Sequence, residues 1–164
     1  MKKFELTSEF VTFLGKTLFR IKALVSFGDV AEGELGGFIE RENNLDQSGN
    51  AWVYGDAQVY GDAQVCGNAQ VCGNAWVYGD AQVFGNAWVQ NCRDYSATSC
   101  FGSENRTTTF FRTKDGGISV RCGCFYGTLR EFREKVKERH GDSRLAKEYL
   151  MLADLMEFRL SKDE

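Results

Sequence analysis

From Ser48 to Val89 the chain reads SGNAWV, YGDAQV, YGDAQV, CGNAQV, CGNAWV, YGDAQV and FGNAWV, seven uninterrupted hexapeptides of the form x-Gly-(Asp or Asn)-Ala-x-Val. Each unit carries a short alternating piece, Ala-x-Val-x, with the period of a strand. Each piece is followed by Gly-Asp or Gly-Asn, residue types that accept the backbone angles of a sharp corner. A six-residue strand-plus-corner repeat suits a parallel β-helix, in which every strand pairs with those one coil above and below. Alternation then sends Ala and Val inward and the residues flanking Val outward. The 18 glycines and the absence of proline fit this reading, since glycine alone punctuates the repeat. At average usage a chain this long carries about eight prolines.

The repeat resembles the hexapeptide repeats of left-handed parallel β-helices, with Val in the main aliphatic position and Ala four residues later. That resemblance implies left-handedness and three hexapeptides per coil, so that residues 18 apart stack. Ile39 and Leu45 are six apart and Leu45 and Val53 eight apart, which makes Gly36 to Gln47 a pair of degenerate opening units followed by a two-residue insertion. Ile39, Leu45 and the seven Val anchors then make nine units, or about three coils. The expected fold is mainly β: a short left-handed β-helix over 36–92, an N-terminal hairpin cap over 1–35, and a C-terminal cap over 93–164 made of a hairpin and two helices.

The caps have their own signals. Residues 4–27 alternate around Gly15-Lys16, with Phe19, Ile21, Ala23, Val25 and Phe27 on one face, and are expected to pack across the N-terminal end of the helix. Thr107–Thr113 and Ile118–Cys122 flank Lys114-Asp-Gly-Gly117 as a second hairpin. Thr128-Leu-Arg-Glu131 is a capping box that opens a helix to about His140, and Gly141 stops it. A second helix runs from about Ser143 to Leu160, with Leu145, Tyr149, Leu152 and Met156 as its apolar stripe.

The outward repeat positions carry the main functional expectation. Trp52, Tyr54, Tyr60, Trp76, Tyr78, Phe84 and Trp88 alternate with Gln58, Gln64, Gln70 and Gln82, and no Lys, Arg or His occurs between Arg41 and Arg93. With an 18-residue coil, Trp52, Gln70 and Trp88 share one column and Tyr60 and Tyr78 another. An aromatic, amide-rich and nearly uncharged surface has the composition of an interface core. The competing reading is that the caps fold back over these faces, or that aromatic ladders only stabilise the stack. Too few residues remain outside the repeat to cover three faces, which favours partner binding through the seven aromatics. The net charge of −3 and the uncharged prism argue against nucleic-acid binding there, and Asp56, Asp62 and Asp80 are too few to mimic a phosphate backbone.

Other chemistries have weaker signals. Hexapeptide acyltransferases resemble one another in using a His as general base beside a cleft between subunits, built in part by a long inserted loop. This chain has one His, His140, whose place at a helix C-terminus is explained by the helix dipole, and its repeat has no such loop. No catalytic residue and no cofactor is therefore assigned. Cys66 and Cys72 diverge on adjacent faces. Cys92, Cys100, Cys122 and Cys124 could supply a tetrahedral zinc, with Cys122 and Cys124 on the same side of a strand, but their spacings match no standard zinc pattern. Free thiols are the preferred reading. The N-terminus lacks the apolar core of a signal peptide and no apolar run spans a membrane, so the chain is expected to stay in the cytoplasm with its cysteines reduced.

Several stretches together resemble a family of small phage- and prophage-encoded hexapeptide-repeat proteins: Phe19-Arg-Ile-Lys-Ala-Leu24, Gly33-Glu-Leu-Gly-Gly-Phe-Ile-Glu40, the repeats, and Asp115-Gly-Gly-Ile-Ser-Val-Arg-Cys-Gly-Cys-Phe-Tyr-Gly-Thr-Leu129 leading to His140-Gly-Asp142. Members are often labelled as transferases or polymer-forming proteins by the repeat alone, and no established active site carries over. This chain has fewer repeats than longer members. The resemblance implies a host protein as partner and, in its most concrete form, inhibition of a host defence system such as an anti-CRISPR activity, by occlusion. Two alternatives stand beside it. One is a homo-oligomer through the prism faces that holds a small molecule, as a sponge or an acyltransferase. The other is nucleic-acid binding by the C-terminal cap, where residues 101–164 hold 13 basic and 11 acidic groups.

Overall fold

The computed structural model describes residues 1–162. The alternating N-terminal stretch forms β1 (Phe4–Phe13) and β2 (Lys16–Ala23), an antiparallel hairpin turning at Leu14 and Gly15. β3 (Leu35–Ile39) pairs antiparallel with β2 on one edge and parallel with Gln58–Val59 on the other, so the hairpin prolongs one sheet of the solenoid. Each hexapeptide then supplies a strand of two residues: β4 (Trp52–Val53), β5 (Gln58–Val59), β6 (Gln64–Val65), β7 (Gln70–Val71), β8 (Trp76–Val77), β9 (Gln82–Val83) and β10 (Trp88–Val89). The strands are shorter than the four alternating residues predict. The reason is the corners: the repeat glycines from Gly49 to Gly85 all have φ between 58 and 72°, and they bend the chain on both sides of each x-Val pair.

Pairing is parallel and follows the 18-residue spacing. β4, β7 and β10 form one ladder, β5 and β8 a second, β6 and β9 a third. Within a ladder the Trp52 and Tyr54 N–H groups donate to the Ala69 and Val71 carbonyls at 3.0 and 2.7 Å, and the other units repeat this scheme. The two-residue insertion is visible as a change of register. Ile39 pairs with Val59 and Leu45 with Val65, each 20 residues on instead of 18. The buried Asn44 mends the break, since its Nδ2 donates to the Gly61 and Ala63 carbonyls at 3.1 and 2.9 Å. Every repeat Ala and Val is buried, so the interior is a column of methyl groups. The opening is tight: a Cβ on Gly37 would sit 2.5 Å from the Ala57 carbonyl oxygen and 2.6 Å from Val53 Cγ1.

Lys3 helps close the N-terminal end. Its Nζ donates to the Ala51 carbonyl at 2.9 Å and lies 4.9 Å from the Phe27 ring centroid, while Gln47 Oε1 accepts from the Lys3 N–H at 2.8 Å. Burial lowers the ammonium pKa to about 8, against a partial opposing pull from Asp46. Because the folded pKa lies below the unfolded 10.5, the cost of this buried charge is fully present below pH 8 and is relieved as pH rises toward 10.5. Relative to Lys3→Met, the wild-type chain should therefore gain about 2 kcal/mol between pH ~7 and pH ~10 in urea melts. A pH-independent difference would mean that the Lys3 amine keeps its water.

Beyond the repeat the chain builds an antiparallel sheet of β11 (Tyr95–Phe101), β12 (Arg106–Arg112), β13 (Ile118–Cys122) and β14 (Phe125–Thr128) in that order. The predicted hairpin is its centre; the flanking strands lack a clear alternating pattern and were not expected. α1 (Leu129–His140) starts at the capping box, with Thr128 Oγ1 accepting from the Glu131 N–H at 3.2 Å and Glu131 Oε2 from the Thr128 N–H at 2.7 Å. α2 (Arg144–Leu160) begins after Ser143, whose hydroxyl accepts from the Ala146 N–H. Two neighbours on β12 divide the labour, as strand alternation requires. Phe111 joins the core of the solenoid, and Phe110 faces the separate core between the sheet and the two helices. Among the described residues, no helix is long and apolar enough to cross a membrane.

Candidate protein-binding surface

Alternation sets which repeat side chains leave the prism, and all seven aromatics do leave it. Leaving the prism is not the same as reaching solvent. Trp52 is completely buried, with Phe4 and Phe27 edge-on at 6.3 and 5.3 Å between ring centroids. Its indole N–H has no hydrogen-bond partner. Tyr60 is also buried: Phe13, near the tip of the N-terminal hairpin, packs edge-on at 5.8 Å, and the ring stacks on Tyr78 at 5.4 Å and 10°. The expectation that Trp52 and Tyr60 are exposed is corrected accordingly. The hairpin and the loop after it fold over the outer surface where the prism begins, and outward aromatics there become a second layer of core.

Phe84, Tyr54 and Trp88 are half-buried. Phe84 lies beneath the C-terminal cap, with Tyr126 edge-on at 5.1 Å and the Arg121 guanidinium 4.7 Å from its centroid. The predicted columns are real: Trp52 and Trp88 both pair with Gln70, and Tyr60 and Tyr78 stack.

Trp76 and Tyr78 remain, 40% and 51% exposed. They flank Val77, and each is held from beneath. Phe13 packs on Trp76 at 4.8 Å, Tyr60 stacks on Tyr78, and the Tyr95 hydroxyl donates to the Trp76 carbonyl at 2.6 Å. Burial pushes the Tyr95 phenol far above its usual pKa, so it stays a neutral donor. Tyr78 borders a shallow cleft of about 230 Å³ that also includes Asp80, Cys92, Tyr95, Ser96 and Arg159. Rigid aromatics with one open face meet a partner with little rotamer entropy left to lose. Sequence reasoning missed Phe13 and Tyr95 as the supports, because neither belongs to the repeat.

The cysteines do not converge. Cys122 accepts a hydrogen bond from the Thr108 hydroxyl at 3.2 Å, and Cys92 Sγ lies 4.0 Å from the Trp76 carbonyl oxygen. Cys122 and Cys124 do not share a strand: Gly123, with φ 59°, turns the chain between β13 and β14. Cys100 is exposed near the end of β11. Among the described residues no group of three or more His, Cys, Asp or Glu is arranged to hold a metal ion. Burial raises the thiol pKa of Cys66 and of Cys72. His140 ends α1 and stacks on Tyr149 at 5.7 Å and 25°, a packing contact inside the cap.

The YdcK beta solenoid repeat family matches residues 63–79 and, in overlapping register, 69–83. The chain is thus similar to a β-solenoid repeat protein within its central units. Among curated proteins none matches the chain.

Proposed function

We propose that this chain is a non-enzymatic protein-binding module whose contact edge is Trp76 and Tyr78. One observation carries the reading: of the seven repeat aromatics these two are the most open, and both are braced from below by Phe13, Tyr60 and Tyr95. A braced Trp–Tyr pair is the kind of anchor that concentrates binding energy. The scaffold under it is, in this reading, a left-handed β-helix of about three coils, supported by the 18-residue pairing and by the resemblance to left-handed hexapeptide repeats. The flanking motifs that resemble phage- and prophage-encoded proteins make the partner a cytoplasmic host protein, and inhibition of a defence system by occlusion the most concrete role. His140, stacked on Tyr149, supports packing and not proton transfer.

The test is a tagged pull-down from host lysate analysed by native mass spectrometry. A stoichiometric protein partner is expected, and Trp76→Ala with Tyr78→Ala should weaken its capture by about 30-fold or more, the loss that a hot-spot pair gives. Their partial exposure predicts that the double variant still folds and melts cooperatively, with only a modest drop in Tm. Full affinity in the double variant would remove this edge from the interface. A bare oligomer carrying a small molecule would move the function to the sponge reading.

A further inference from the structure

α2 presents two apolar stripes. Leu152, Met156 and Leu160 face the core, whereas Met151, Leu155 and Phe158, spaced four and three residues apart, are 72%, 57% and 86% exposed. Leu155 and Phe158 border a groove of about 900 Å³ that runs between α2 and the end of the solenoid. Its lining includes Arg93, Arg112, Arg159 and Lys162, and no acidic side chain. Arg112 is engaged: it pairs with Asp94 at 3.0 Å and donates to the Leu160 carbonyl at 2.7 Å. Among the described residues, Arg93, Arg159 and Lys162 form no ion pair.

The charges on α2 are sorted by side. Asp154 and Glu157 are drawn to Arg133 of α1, at 2.8 and 2.7 Å, away from the groove. What borders the groove is therefore apolar surface edged by cations that have no ion-pair partner among the described residues. We propose that this groove is a second binding surface, which adjoins the Tyr78 cleft at Ser96 and Arg159 but has its own apolar anchors, and that its occupant is an amphipathic acidic helix of a partner protein. The apolar stripe supplies the pocket for anchors at i, i+3 or i+4, and i+7, and the cations select acidic residues beside them. From Met151 to Leu160 the helix rises about 14 Å, room for about two and a half turns of such a segment. Nucleic acid would satisfy the cations but leave the aliphatic stripe unmatched, so charge and apolarity together favour the acidic helix.

The experiment uses the full chain and fluorescence anisotropy with a labelled designed helix of about 18 residues, Leu and Phe on one face and Glu on the other. The wild type should bind it with an affinity that falls as salt is raised. Leu155→Ser with Phe158→Ser, and separately Arg159→Glu with Lys162→Glu, should each weaken binding by about tenfold or more. The same peptide with Lys in place of Glu should bind at least about tenfold more weakly. All four positions are exposed, and melts of the variants confirm folding. Four results overturn the proposal: no binding of the acidic peptide, equal binding of its Lys counterpart, binding of a single-stranded oligothymidine that is lost in the charge variant but not in the apolar one, or a sedimenting wild-type dimer that Leu155→Ser and Phe158→Ser dissolve. Arg159 also lines the cleft beside Tyr78, whereas Leu155 and Phe158 do not, so the apolar variant is the one that separates the two surfaces.

Discussion

Trp52→Ala should cost about 3–5 kcal/mol of folding stability, the range for removing a large aromatic from a core. The repeat pattern alone makes Trp52 equivalent to Trp76 and Trp88, so a surface-sized effect would follow from sequence. The structure separates them. Trp52 is fully buried between Phe4 and Phe27, in the same cluster as Ile21, Val53 and Val71, and its loss leaves a cavity that rigid strands cannot close. Trp76→Ala, at an exposed position, should cost at most about 1 kcal/mol. Trp52→Phe is the informative control. It removes an indole N–H that has no partner, so part of the lost packing is offset by the polar group no longer buried. Urea denaturation of the three variants gives the order directly. Equal, small effects for Trp52→Ala and Trp76→Ala would mean that the N-terminal hairpin does not cover the solenoid in solution.

Asp94→Ala should be comparably damaging, by about 3–5 kcal/mol, and its effect should be confined to the C-terminal cap. Asp94 is buried where the last repeat hands over to β11. Its Oδ2 accepts from the Gln90 and Asn91 N–H groups at 2.8 and 3.1 Å, and its Oδ1 from Arg112 Nη1 at 3.0 Å. Arg112 in turn donates to the Leu160 and Ser161 carbonyls at the end of α2. One carboxylate thus stops the solenoid, holds β12 and, through Arg112, ties down the second helix. Removing it leaves two turn N–H groups and a half-buried guanidinium without their acceptor. Asp94→Asn keeps an oxygen for the turn and loses the ion pair, so its cost should fall between the wild type and Asp94→Ala. Limited proteolysis should cut the alanine variant after residue 93 while the repeat survives. A single cooperative loss of the whole chain would instead show that the cap and the solenoid fold as one unit.

The stacking of the repeat was legible because each residue's place in it depends on its own coil and those directly above and below. Glycine at each corner, Val and Ala inward and even the two-residue slip after Leu45 follow from spacing along the chain, while the 18-residue pairing was implied by the resemblance to hexapeptide repeats. The helices were legible for a similar reason: the Thr128–Glu131 box, the Ser143 cap and the Gly141 stop are interactions between residues three or four apart. The outer stripe of α2 was also written in the sequence, as Met151, Leu155 and Phe158 at helical spacing, but the more extensive inner stripe accounted for the helix and hid it.

What the sequence determined by itself is the direction in which each side chain of the repeat points, since strand alternation and corner geometry are local. What only the tertiary structure decided is which of those outward side chains meet water. Trp52 and Trp76 occupy equivalent positions in their hexapeptides, yet one is core and the other surface. The difference comes from Phe4 and Phe27, residues that lie tens of positions away in the chain and return through the pairing of β2 with β3. Burial of an outward face depends on where a separate element docks, and docking is set by the summed contact of two surfaces, which no periodicity within one of them encodes.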